Sequence, residues 1–355
     1  MTADTLIVGG GLSGLYAAQL LSENGKTFRV LEAAPQFGGR IQTVDRSGSS
    51  IELGPSWFWP EGNPRLARFV QLHGLPSFAQ HTQGDVLIDD AGHLHRELHQ
   101  RVDPRRSQRL TNGSRSLIDA IVPTLPAECL HNEHHVTKVE RAGELITVTA
   151  RTPGGELTFT ATNLIIALPL RLVAATIAFS PELPAKVTDD FRAIPTWMAG
   201  EGKFFALYNE PFWRNDGLSG STFSQTGPLS ETHDASHPNG VAALLGFFVD
   251  GGKDPKPSGE SPIPDCLAQL ARYFGAAASF PSETLLIDWS SRPLTATALD
   301  TPLMGHPAYG LPVSAQTLWS GRLRFAGTES APQHGGYLEG ALEAAELAVT
   351  GETLS

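Results

Sequence analysis

The stretch Leu6-Ile7-Val8-Gly9-Gly10-Gly11-Leu12-Ser13-Gly14-Leu15-Tyr16-Ala17-Ala18 decides the fold. Leu6 to Val8 is a short apolar run of the buried parallel-strand type, and the residues after the glycines follow a helical pattern through Leu21. In a strand–turn–helix of this kind Gly9 permits the tight turn, Gly11 lets backbone approach a pyrophosphate, and Gly14 lets helix and sheet pack closely. The helix start at Leu12 and Ser13 offers free N–H groups to phosphate oxygens. After Asn24-Gly25 the chain resumes as Phe28-Arg29-Val30-Leu31 and ends in Glu32, eighteen residues beyond Gly14, where a carboxylate can hydrogen-bond ribose hydroxyls. These features in register predict a dinucleotide-binding unit, and by themselves they do not choose between NAD and FAD.

Composition bounds the rest. At 355 residues the chain exceeds the size at which a single core stops growing, so two domains, or one nucleotide-binding domain with a large insertion, are expected. Hydrophobic residues at 41%, charged residues at 18%, 36 Gly and 26 Pro suit an α/β protein with many tight turns. The net charge of −11 opposes attraction to nucleic acid or to anionic membranes. Cys129 and Cys266 lie far apart without ligand-spaced neighbours, so neither a disulfide framework nor a zinc site is expected, and a reducing cytoplasm fits. His93, His95 and His99, and likewise His131, His134 and His135, lack an accompanying ligand set and read as solvent-exposed; no metal is expected. No leader pattern precedes the first strand. The most apolar tract, Leu164 to Phe179, is interrupted by Pro169 and Arg171 and reads as strand, turn and short helix rather than a membrane span.

The segment Leu31-Glu-Ala-Ala-Pro-Gln-Phe-Gly-Gly-Arg-Ile41 resembles the second nucleotide element of the flavin amine oxidase family, in which this loop surrounds the diphosphate and ribityl chain of FAD. Gly39 would let backbone amides approach, and Arg40 would offer a cationic fork to phosphate. Gly54-Pro55-Ser56 follows, and then Trp57, Phe58 and Trp59, which either line the cavity or fill the domain junction. Leu323-Arg-Phe-Ala-Gly327-Thr-Glu329-Ser330 with His334-Gly-Gly336-Tyr337-Leu338 is similar to the closing flavin motif of the monoamine oxidase group. There a strand delivers Gly327 and Glu329 to the cofactor. The last helix starts near Gly336 and Leu338 and turns its dipole toward the pyrimidine end of the flavin. The resemblance also implies that Val136 offers backbone hydrogen bonds to the adenine.

The rest of the chain reads as a helix from Asn63-Pro64 to His73-Gly74 and a hairpin of Val86–Ile88 with His93–His95. A β-meander over Val136–Thr149, a strand at Phe247–Val249, a loop over Gly251–Pro264 and a helix over Asp265–Phe274 follow. Between the hairpin and the helix start near Gly113 the family's long helical insertion is reduced to a few tens of residues, which predicts a more open or differently covered cavity.

Three positions would carry the chemistry that the resemblance implies. Lys203 matches the lysine that holds a water against flavin N5; the alternative is a snorkelling lysine on an edge strand. Tyr337 matches one wall of an aromatic cage that guides an amine. Counting ten residues on from Trp289 places the other wall at Leu299, which is not aromatic, while Trp289 itself either packs near the flavin or fills the core. The stretch after Trp289 lacks the cysteine that some relatives attach to the flavin, so FAD is expected to be non-covalent. Arg192, Arg214 and Arg292 are candidates for holding a substrate carboxylate.

The expectation is therefore an α/β protein with a Rossmann-like FAD-binding domain (residues 1–77, 111–192 and 292–355) and an inserted mixed-sheet α+β substrate domain (78–110 and 193–291). The resemblance implies oxidation of an amine C–N bond, with O2 as acceptor giving an imine and H2O2, by a cytoplasmic monomer or homodimer without nucleic-acid or membrane partners. The alternatives are a renalase-like or desaturase-like flavoprotein acting on a dihydronicotinamide or a C–C bond, and a non-catalytic binding protein of the same fold.

Overall fold

The structure, a computed structural model, describes residues 2–98, 107–249, 261–300 and 305–351. The apolar run at the start of the chain becomes the strand Thr2–Val8 inside an eight-stranded sheet. On one side it pairs in parallel with Phe28–Leu31, which pairs in turn with Leu130–His131; on the other it pairs with the end of the long strand Gly155–Ile166, which pairs with Leu323–Phe325. Alternation divides the side chains between two cores: Ile7 points to a cluster with the helices Leu12–Glu23, Arg115–Ile121 and Leu338–Thr350, while Leu6 and Val8 point to one with Leu170–Thr176 and Ala185–Ala193. Burial on both faces is why these strands are continuous apolar runs. The meander forms as expected: His135–Ala142, Leu145–Thr152 and Gly155–Ile166 pair antiparallel.

The second sheet has seven strands in the order Glu283–Asp288, Gly202–Tyr208, Ala242–Phe248, Leu229–Asp234, Leu218–Ser224, Asp85–Asp90, His93–Glu97. One face packs Phe204, Leu244 and Trp213 against the helix Ile263–Phe274. The other packs Phe205, Leu245, Phe247 and Ile287 onto Ile51 and Leu53, next to the glycine-rich loop of the first fold. Gly202–Tyr208 is buried at every position because it has a neighbour on each side and a cover on each face. Lys203 therefore lies on an interior strand, and the edge-strand alternative is corrected.

The helix Pro64–Leu72 forms where expected, and Asp85–Asp90 with His93–Glu97 forms the hairpin. The helix assigned to Asp265–Phe274 begins two residues earlier, at Ile263. Most of the loop assigned to Gly251–Pro264 lies outside the described residues, as does His99. Between the hairpin and Arg115–Ile121 the described residues contain one element, the strand Gln108–Leu110 paired with Ser77–Ala79, and residues 99–106 lie outside the description.

Candidate active site

The glycine turn separates into packed and open positions. A Cβ on Gly9 (φ +102°) would lie 2.7 Å from the Ala167 carbonyl oxygen, and one on Gly14 would lie 1.9 Å from that of Gly9. Those two glycines let the strand turn and the helix sit down on it. A Cβ on Gly11 would meet nothing nearer than 3.9 Å, where Gly38 and Gly39 stand across a parallel bridge. The helix Leu12–Glu23 begins there with no side-chain cap and no acidic residue in its first turn, so its N–H groups remain available to an anion. Leu12 and Ser13 are buried at this end, with the Ser13 hydroxyl donating to the Ala326 carbonyl.

Glu32 ends its strand with one carboxylate oxygen accepting from Gly10 N (2.6 Å) and the other from Ala34 N (2.7 Å). Burial raises its pKa above the ordinary carboxylate value, against the pull of these backbone donors. The strand carrying Val136 starts beside it, His134 N donating to the Glu32 carbonyl at 2.7 Å, so the two residues assigned to the adenosine end share one location.

Arg40 is held differently from the open fork that was expected. Its Nη1 and Nη2 donate to the two oxygens of Glu329 at 2.7 and 3.0 Å, and Glu329 is wholly buried. Nη1 also reaches the Trp197 carbonyl (3.3 Å), while Trp197 N donates to Glu329 (3.3 Å). The ion pair thus clamps the loop that leads into the Lys203 strand. Gly39 (φ +59°) passes within contact of Gly11, and Gly54 and Gly327 lie so close to the carbonyls of Arg40 and Leu168 that a Cβ would stand 2.2 and 2.1 Å from them.

Lys203 is 5% exposed, and its ammonium donates to the carbonyl of Gly54, to Ser56 Oγ (3.1 Å) and to the carbonyl of Glu52 (3.4 Å). It stands 5.3 Å from the Phe247 ring centroid. Pro55 lies between two of its acceptors in sequence, so one side chain pins the whole Gly54-Pro55-Ser56 loop. Burial lowers its pKa from 10.5 to about 8, the Glu52 carboxylate opposing this only in part. Glu201, two residues earlier, is partly buried and pushed up to about 7 by burial and by Glu231, and its Oε2 has no hydrogen-bond partner among the described residues.

The aromatic side chains after the loop divide their work. Trp57 packs against Phe247 and His233 and donates to Gln80 (2.8 Å), Phe58 is buried in the core beside the first helix, and Trp59 is exposed. Trp289 is a core residue 7% exposed, its indole donating to the Leu53 carbonyl at 3.0 Å.

Tyr337 precedes the helix Leu338–Thr350 and is 40% exposed. That helix has no side-chain cap, and its first-turn Glu339 is spent on Arg65 N and Leu66 N (3.1 and 2.8 Å), at the start of the helix Pro64–Leu72. The ring facing Tyr337 is His306, stacked on it with centroids 5.0 Å apart and planes at 26°. Trp197 and Tyr309 stand edge-on to His306 at 4.7 and 5.0 Å. Gly335 and Gly336 are required here, since a Cβ on either would strike the ring of Tyr309 or the side chain of Trp197 within 2.7 Å. Leu299, the position reached by counting, is exposed and offers its carbonyl to Arg171 (2.8 Å); the ring stacked on Tyr337 is His306. Among the arginines, Arg214 has its fork closed on Asp234 (2.8 and 3.0 Å) and Arg192 pairs with Asp189 (3.5 Å), while Arg292 is exposed. Trp197, His306 and Tyr309 were missed; the single sequence signal for them is the paired glycine at 335–336, which says that something large packs there.

The geometry agrees with relationships to known proteins. A profile described as flavin containing amine oxidoreductase matches residues 97–350, and one described as NAD(P)-binding Rossmann-like domain matches residues 7–71. The AofH protein of Mycobacterium tuberculosis, whose name carries the words flavin-containing monoamine oxidase, is 23% identical across 98% of this chain and 96% of its own. That alignment spans 453 positions against a chain of 355, so the relative has stretches with no counterpart here. Putrescine oxidase of Kocuria rosea is 23% identical across 97% of this chain and 94% of its own. The solved structure of a putrescine oxidase A394C mutant superposes with a TM-score of 0.82 over 99% of this chain and 98% of its own, at 19% identity. Among the described residues no helix is long and apolar enough to cross a membrane. The uncapped helix start opposite Gly11, the acid at the end of the second strand and the paired glycines at the last helix therefore belong to an FAD-dependent oxidoreductase, and the chain is a member of the flavin containing amine oxidoreductase family.

Proposed function

We propose that this protein oxidises a small amine at its C–N bond, with FAD bound non-covalently and dioxygen as the final acceptor, yielding an imine that hydrolyses in water and hydrogen peroxide. Residues 1–77, 111–192 and 292–355 form the FAD-binding domain in this reading, and 78–110 with 193–291 the substrate domain. FAD, when bound, supplies the acceptor for the hydride that leaves the substrate α-carbon. Gly9 sets the turn, its N–H being bonded to the Leu31 carbonyl, while Gly11, Leu12, Ser13, Gly14 and Gly39 hold the diphosphate through backbone N–H groups, Glu32 and Val136 hold the adenosine end, and Gly327, Gly336 and Leu338 approach the ring system. Arg40 and Glu329 act as a pair that positions the Trp197 loop, because their charges neutralise each other.

The observation that carries this reading is Lys203: a buried ammonium on an interior strand, tied to the Gly54-Pro55-Ser56 loop and placed on the sheet face that meets the glycine-rich fold. With a pKa of about 8 it holds its proton at neutral pH and releases it readily, which suits a group that assists proton movement beside the reacting centre. Tyr337 supplies an aromatic face for the amine, and Trp57 lines the same side of the sheet as Lys203. Trp289 supports the site from the core through Leu53.

Anaerobic mixing with amines, amino acids and dihydronicotinamides, following flavin absorbance, tests the reading. Reduction by amines and peroxide release on admitting air are expected. Reduction by dihydronicotinamides alone, or a purified protein that takes up no FAD, would overturn it.

A further inference from the structure

The His306 imidazole is the one ring in the Tyr337 cluster with a nitrogen lone pair to offer a proton, and the structure fixes which nitrogen carries it. Its Nε2 lies 2.8 Å from the Gly335 carbonyl oxygen. A carbonyl only accepts, so Nε2 carries the hydrogen and Nδ1 of the neutral ring presents a lone pair. Among the described residues Nδ1 has no hydrogen-bond partner, and His306 is exposed beside the exposed Tyr337. Trp197 and Tyr309, edge-on at 4.7 and 5.0 Å, keep the imidazole from tilting off the Tyr337 ring. Four rings from separate parts of the chain thus converge on the Gly335-Gly336 turn that starts the last helix.

Amines arrive at neutral pH as ammonium ions, whereas loss of hydride from the α-carbon needs the nitrogen lone pair, so the site requires a proton acceptor. Of the other candidates near these rings, Lys203, Glu329, Asp300 and Tyr309 are committed. Lys203 Nζ faces Gly54, Ser56 and Glu52. Glu329 is closed on Arg40, and Asp300 accepts from Arg171 (2.8 Å), Thr196 N (2.9 Å) and Thr297. The Tyr309 hydroxyl donates to the Pro195 carbonyl (3.0 Å), and burial raises its pKa. Glu201 Oε2 and His334 Nδ1 have no hydrogen-bond partner among the described residues, but both atoms are buried, whereas His306 is exposed to an arriving substrate.

We propose that His306 is a catalytic residue of this site, the general base that accepts the substrate ammonium proton at Nδ1. This rests on the amine-oxidising reading above. One N–H bond of the ammonium breaks with its electron pair left on nitrogen, one N–H bond forms at Nδ1, and a neutral amine lies beside an imidazolium that returns its proton to water. The titratable groups facing the ring are Tyr337 and Tyr309; behind Trp197 stand the ion pairs Arg40–Glu329 and Arg171–Asp300, each internally neutral.

The test uses FAD-loaded wild type, His306→Phe and His306→Asn, with n-butylamine, benzylamine and putrescine as probes in anaerobic stopped flow across pH. For His306→Phe, which retains a stacking ring, reduction is expected to fall about a hundredfold near neutral pH. It should recover to within about threefold where a substantial fraction of the free amine is already neutral, near pH 10 and above. A defect equal at every pH in both variants, or an unchanged profile, would overturn the assignment. So would histidine 15N NMR of the wild type showing the resonance lost in both variants to be an Nδ1–H tautomer; the Nε2–H tautomer is expected, with or without substrate. Failure of every amine to reduce wild type at any pH would instead refute the amine reading itself, and the general base with it.

Discussion

Lys203→Met probes the buried ammonium directly. In the folded protein burial pulls Lys203 from 10.5 to about 8, while the unfolded chain keeps the ordinary value. Between those values the unfolded state binds a proton that the native state has released, so the part of the stability that belongs to Lys203 rises with pH. Below the folded pKa both states are protonated and the burial penalty stands in full. Integrating the linkage from about pH 7 to about pH 9.5 gives about 2 kcal/mol of stabilisation of wild type relative to Lys203→Met, which has nothing to titrate. Urea unfolding of both proteins, with excess FAD at the two pH values, yields this as a double difference in which groups not coupled to Lys203 cancel. The variant should retain its flavin spectrum while flavin reduction or reoxidation slows. A double difference near zero would show that Lys203 sits in a wetter environment than its three protein acceptors imply, and an unchanged rate in both half-reactions would remove its chemical role.

Three further outcomes follow from packing and from the buried ion pair. Gly14→Ala puts a Cβ 1.9 Å from the Gly9 carbonyl oxygen, so the first helix must lift off the strand and FAD retention, read as the flavin-to-protein absorbance ratio, should collapse. Gly25→Ala has free space around it and should cost only about 1 kcal/mol with the flavin retained. Arg40→Met strands the wholly buried Glu329 carboxylate and should cost about 3–5 kcal/mol, while Arg40→Met/Glu329→Leu should recover most of it; equal losses in thermal unfolding would mean the pair is not a closed unit.

The sequence by itself determined the nucleotide end. Its chemistry is local and done by backbone: Gly9, Gly11 and Gly14 lie within one turn, and Glu32 is reached by one helix and one strand whose lengths are set by hydrogen-bond geometry. Lys203 was legible as a position but not as an environment, because only the pairing of its strand on both sides shows that it is buried. The amine end was decided by tertiary structure. Arg40 and Glu329 are 289 residues apart, and no spacing rule connects the loops bearing Trp197 and His306 to Tyr337. Glycine can be read from a sequence as permission for something to approach; which group approaches, whether phosphate at Gly11 or an aromatic ring at Gly335 and Gly336, depends on how distant segments close over it.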